Sequence, residues 1–144
     1  MEITLIFTLD KIQKLSFPRF VDETGELCIY ENNSNIPMDV ARTFSICAVK
    51  GAKRGQHAHY LCSQILICLY GSCEVMCDDG ANRTKVILDS PDCGLLVPPS
   101  IWSEQIYINR NTVIIVLCDR PYEKNDYIRD YDAFLAYRTE HDNE

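Results

Sequence analysis

Positive charge is scarce in this chain of 144 residues: 14 Lys and Arg stand against 21 Asp and Glu, for a net charge of −7. A general nucleic-acid binder needs the opposite balance, because its lysines and arginines must neutralise phosphates. Long apolar runs are missing as well. No stretch approaches the roughly 20 residues of a membrane-spanning helix. The first residues, Met1-Glu2-Ile3-Thr4-Leu5-Ile6-Phe7, lack a cationic leader and meet Asp10 before a secretory apolar stretch is complete. These absences point to a cytoplasmic protein with no nucleic-acid or membrane partner. Internal repeats, linkers and low-complexity tracts are also absent, so the expectation is one domain over 1–137 with a polar tail over 138–144. An anionic ligand would need its own local cationic pocket.

Apolar residues make up 47% of the chain and charged residues 24%, the balance of a folded globular domain. Eight cysteines are present, most of them inside apolar runs such as Ile67-Cys68-Leu69 and Val116-Leu117-Cys118. Without an export signal they read as reduced, buried small hydrophobes. Cys73 and Cys77 have no second pair to complete a zinc site.

Short apolar runs separated by turn residues predict an all-β sandwich or barrel. The expected strands are Ile3–Leu9, Glu26–Glu31, Arg42–Val49, Gln64–Tyr70, Cys73–Cys77, Arg83–Leu88, Gly94–Val97, Glu104–Ile108 and Thr112–Cys118. Asp78-Asp79-Gly80 predicts a tight hairpin that makes Cys73–Cys77 and Arg83–Leu88 antiparallel neighbours. Pro98-Pro99 stops a strand, since proline has no N–H to give to a ladder. Helical spacing occurs only from about Asp126 to Tyr137, where Tyr127, Tyr131, Phe134 and Leu135 share a face.

The chemically informative stretch is Gly51-Ala52-Lys53-Arg54-Gly55-Gln56-His57-Ala58-His59, followed by Gln64 and Gly71. Residues two apart on an extended strand point the same way, so His57 and His59 project together. The spacing resembles the first motif of the cupins, whose fold is a double-stranded β-helix or jelly roll. Metal-binding cupins add an acidic residue where Gln64 stands and a third histidine near where Trp102 falls. Two imidazoles without either make a poor transition-metal site, so neither metal nor organic cofactor is expected.

The resemblance narrows. Arg54-Gly55 with His57-Ala58-His59, Asp78-Asp79-Gly80, Leu88-Asp89-Ser90-Pro91, Pro98-Pro99 with Ile101-Trp102, and Asp126-Tyr127-Ile128-Arg129-Asp130-Tyr131 look like the sugar 3,4-ketoisomerases. Those cupins convert dTDP-4-keto-6-deoxyglucose to a 3-keto sugar on the route to deoxyamino sugars of O-antigens. The resemblance implies a homodimer, a dTDP-linked keto-sugar as substrate, His57 as proton acceptor and His59 as second acid/base or orienting group. It also implies diphosphate contacts from Arg42 and Arg54. Gln64 either donates to an enediolate or is a buried hydrogen-bonding partner for a histidine, and Trp102 is either a stacking platform or core. One departure stands out. A tyrosine pair often follows the arginine at position 42, one of them catalytic, and here the residues are Phe44 and Ser45. Either Ser45 or a water substitutes, or another tyrosine fills the role, or turnover is impaired. The rival readings are a sugar 3,5-epimerase, a metal-dependent cupin and a nucleotide-sugar-binding cupin without catalysis.

Overall fold

Gln64–Tyr70 carries Ile65, Leu66, Ile67 and Cys68 without a polar interruption, so both of its faces have to be covered. The computed structural model, which describes residues 6–141, shows how. The strands are β1 (Gln13–Ser16), β2 (Arg19–Asp22), β3 (Gly25–Cys28), β4 (Arg42–Ala48), β5 (Lys53–His59), β6 (Gln64–Tyr70), β7 (Cys73–Asp78), β8 (Arg83–Leu88), β9 (Cys93–Val97), β10 (Trp102–Tyr107), β11 (Thr112–Cys118) and β12 (Tyr127–Ile128). One helix, α1, spans Tyr131–His141. Two five-stranded sheets, in the orders β1-β9-β6-β11-β4 and β12-β5-β10-β7-β8, are antiparallel throughout, and β2-β3 forms a separate hairpin. This is the cupin-type jelly roll.

Alternation sorts the apolar residues into three layers. Leu66, Cys68, Val116 and Ile114 of the first sheet meet Cys73, Val75, Cys77 and Tyr107 of the second in the main core. Ile65 and Ile67, on the other face of β6, pack with Phe17 and Ile36. Beyond the second sheet, Ala58, Met76, Trp102 and Ile128 are covered by Phe134 of α1. All eight cysteines are free thiols and five of them are buried, as their apolar settings predict.

Three predicted strands, Gln64–Tyr70, Arg83–Leu88 and Thr112–Cys118, have the expected bounds. The expected first strand falls partly outside the described residues, and Leu9–Lys11 forms a 3-10 turn. The helix begins later and ends later than its spacing suggested. Tyr127 and Ile128 pair with His59 and Ala58 in a ladder instead, and Asp130 then caps the helix by accepting from the Ala133 N–H. At the other end, the buried Arg138 donates to the carbonyls of Phe7 and Ser100, which fastens α1 to both.

Candidate active site

A strand that alternates strictly would place Arg54 and His57, three residues apart, on opposite faces. The register of β5 against β10 shows why they share one. Ser103 pairs with His57 but Glu104 pairs with Gly55, leaving Gln56 as an extra residue. This β-bulge puts Gly55 at φ +84° and Gln56 at φ +54°, and it shifts the alternation by one. Arg54, His57 and His59 all point between the sheets. Gly55 is required twice over, since a Cβ there would sit in left-handed backbone 3.2 Å from the Ser103 carbonyl oxygen.

The His57 and His59 rings meet edge to face, with centroids 5.0 Å apart. In His57, Nδ1 lies 2.9 Å from the Gly55 carbonyl oxygen, and in His59, Nδ1 lies 3.0 Å from Asp126 Oδ2. Both partners only accept, so each ring carries its proton on Nδ1 and leaves Nε2 as the basic nitrogen. His59 Nε2 is buried and without a partner. Asp126 also accepts from the Leu61 and Cys62 N–H groups. Burial alone would raise its pKa, but the bonds from His59, Leu61 and Cys62 outweigh burial and hold it below the usual carboxylate value.

Burial first, then the neighbouring His59 and Arg129, push the His57 pKa down to about 4, against the opposing pull of the Gly55 carbonyl. His57 is therefore a neutral imidazole at pH 7. Because its folded pKa is depressed, the unfolded chain binds the proton more readily. The resulting stability is complete above the unfolded value of about 6.5 and is lost as the pH falls toward 4.

A cavity of about 460 Å³ opens beside His57, bordered by Phe44, Gln64, Gln105 and Tyr127. Lys53, Arg54 and Arg129 stand around it. Lys53 is engaged by Glu104 at 3.4 Å, whereas Arg54 and Arg129 make no ion pair among the described residues. The anionic end of a ligand would meet these two guanidinium groups. A wider hollow of about 710 Å³ between Lys50, Tyr70 and Arg110 holds no imidazole or paired acid and base, so the chemistry lies in the smaller one.

The remaining sequence-derived residues divide. Gln64 borders the cavity, and its Nε2 lies 3.5 Å from Cys118 Sγ, so its partner is a thiol rather than a histidine. Arg42 stands behind the wall: its Nη2 reaches Cys118 Sγ at 3.5 Å and the Tyr127 hydroxyl at 3.2 Å. The hydrogen bond from Cys62, then Arg42 and Gln64, hold the Cys118 thiol below its ordinary pKa. Ser45 touches the cavity edge but alternates with the inward Phe44 and is exposed. Trp102 is placed away from the cavity. It shares the outward face of β10, donates Nε1–H to Glu104 and packs on Tyr131 and Phe134. The bulge after Ser103 leaves it on the side of Ala58, so core is its role here.

Sequence reasoning missed Asp126, Tyr127 and Arg129 as parts of the site. Asp126 ends the 3-10 turn Lys124–Asp126, Tyr127 opens β12 and pairs directly with His59, and Arg129 follows that strand. Among the described residues, one group of three metal-capable side chains occurs, His59, Cys62 and Asp126. The Asp126 carboxylate there already holds His59 and two backbone N–H groups, an orienting arrangement.

Comparison with known proteins fits this geometry. The family model FdtA, described as WxcM-like, C-terminal, matches residues 10–139. The chain belongs to the FdtA family of sugar 3,4-ketoisomerases. It is 41% identical over 124 residues, 85% of this chain and 89% of the relative, to a TDP-4-oxo-6-deoxy-alpha-D-glucose-3,4-oxoisomerase of Aneurinibacillus thermoaerophilus. Among solved structures, a 3,4-ketoisomerase from Helicobacter canadensis is similar to this FdtA-family chain with a TM-score of 0.86 and 35% identity, covering 90% of this chain and 98% of the other. QdtA, a sugar 3,4-ketoisomerase from Thermoanaerobacterium thermosaccharolyticum solved in complex with TDP, gives 0.88 and 30%, covering 92% and 98%.

Proposed function

We propose that this protein isomerises dTDP-4-keto-6-deoxyglucose to the 3-keto sugar by proton transfer alone. The observation that carries the reading is the His57–His59 pair, each Nδ1 held by an acceptor, beside a cavity that also presents Arg54 and Arg129. The likeness to the oxoisomerase at 41% identity supports it. Moving a carbonyl from C4 to C3 is redox-neutral within the sugar. It needs a base for the C3 proton, stabilisation of the enediolate and a proton returned to C4.

His57 lies on the cavity wall and is neutral at pH 7, which suits it to receive the C3 proton. His59, with Asp126 on its far nitrogen, is the second acid/base group. Arg54 and Arg129 hold the diphosphate, Gln64 and Gln105 donate to sugar oxygens, and Arg42 acts from behind Tyr127. The cytoplasm suits eight free thiols. No helix among the described residues is long and apolar enough to cross a membrane. The β2–β3 hairpin presents Phe20, Val21 and Leu27, at 60%, 68% and 60% exposure, a surface suited to a second copy in a homodimer. Sedimentation will give the mass of two chains; a monomer at all concentrations sinks the dimer.

Incubation with dTDP-4-keto-6-deoxyglucose in D2O, followed by NMR, tests the activity. Deuterium will enter at C4 as the 3-keto product forms, and at C3 only in substrate regenerated by the reverse reaction. Deuterium at C5 instead would identify an epimerase, and none at any position would leave only a binding protein.

A further inference from the structure

We infer that Tyr127 is the hydroxyl acid of the reaction, relaying a proton between the two sugar oxygens. The inference rests on the isomerase reading above and adds a residue to it. A ketone cannot migrate by C–H transfer alone, because the oxygen at C4 must gain a proton while the oxygen at C3 loses one. Imidazoles occupied with carbon leave that exchange to a further group.

The cavity wall contains a single phenol among the described residues, that of Tyr127. Phe44, which faces inward from β4, has no hydroxyl, and Ser45 is on the exposed face of the same strand. Pairing with His59 aims Tyr127 between the sheets. Its ring centroid lies 4.4 Å from that of His59 and 5.1 Å from that of His57. Arg42 Nη2 donates to its oxygen at 3.2 Å, so the phenol's own proton is left free for another acceptor. The Arg129 guanidinium sits over the ring, 4.3 Å from the centroid. Two cations therefore attend the oxygen and the ring.

The step balances as follows. His57 Nε2 takes the C3 proton, the C3–H electron pair becomes the C3–C4 double bond, and the carbonyl electrons move to O4. Tyr127 gives its proton to O4, completing the enediol, and the phenolate takes the proton from O3. As the carbonyl forms at C3, the histidine pair returns a proton to C4. No oxidant or reductant enters.

The test compares wild type with Tyr127→Phe and with 3-fluorotyrosine incorporated at position 127. In Tyr127→Phe, kcat will fall on the order of 10²-fold or more while dTDP affinity stays within about threefold and thermal stability is retained. Phe44→Tyr added to that variant will restore part of the turnover, and fluorotyrosine will move the alkaline limb of the kcat profile to lower pH. Tyr127→Phe with kcat within about threefold of wild type overturns the inference, as does a fluorotyrosine protein whose alkaline limb stays in place. A fall in dTDP affinity with kcat unchanged at saturation makes Tyr127 a binding residue and overturns it too. A wild-type protein that forms no 3-keto product removes the isomerase reading itself, and this inference with it.

Discussion

Replacing His57 by Asn will lower kcat/KM for the keto-sugar by roughly 10³-fold and leave dTDP affinity within a few-fold, because the lost group touches reacting carbon rather than phosphate. The amide keeps a donor for the Gly55 carbonyl, so the local fold survives. A second signature accompanies the first. With His57 as base, the acid limb of kcat/KM in wild type will lie near pH 4, far below an ordinary histidine. A limb near the ordinary histidine value of about 6.5 would refute His57 as a base of depressed pKa. The same residue governs acid stability. Between pH 6.5 and 4 wild type will lose up to about 3 kcal/mol more than His57→Asn, read from urea midpoints. Equal slopes in the two proteins would show that His57 titrates normally.

Removing Asp126 will have the largest effect on the fold. Asp126→Ala strands two buried donors, on His59 and Cys62, and a half-buried one on Leu61, and will cost roughly 3–5 kcal/mol. Asp126→Asn separates support from chemistry. Its amide nitrogen, if turned toward His59, forces the ring proton from Nδ1 to Nε2 and takes away the basic nitrogen, so turnover will fall on the order of 10²-fold or more with a smaller loss of stability. Urea unfolding and initial rates measure the two effects. An Asp126→Ala protein with an unchanged midpoint would refute the supporting role.

The strands that form the main core were legible because alternation and turn chemistry are local. Gln64–Tyr70 and the Asp78-Asp79-Gly80 hairpin announce themselves within a few residues. The shared face of His57 and His59 was legible for the same reason. Arg54 joined them through a bulge that only the partner strand reveals. Trp102 was read as a stacking platform or core, and the step in register beside Ser103 leaves it in the outer layer. Asp126 and Tyr127 were readable as the start of a helix, since Tyr127, Tyr131 and Phe134 do fall on one helical face. What overrides that spacing is a ladder with β5, which lies 67 residues earlier in the chain at the His59–Asp126 contact. A pairing at that distance leaves no trace in the local pattern. The substitution of Phe44 for a hydroxyl-bearing residue was visible from the start, but the group that answers it was not.

The two-residue ladder of β12 is the shortest element among the described residues, and its grip on β5 is correspondingly slight. It is held in place from one side by α1, whose Arg138 reaches back to Phe7 and Ser100. A transient opening of that helix would loosen the phenol in front of His59, while the bonds from Leu61 and Cys62 keep the carboxylate behind it in place. Proton exchange at the amides of α1 would then report how often the phenol leaves its place beside the imidazoles.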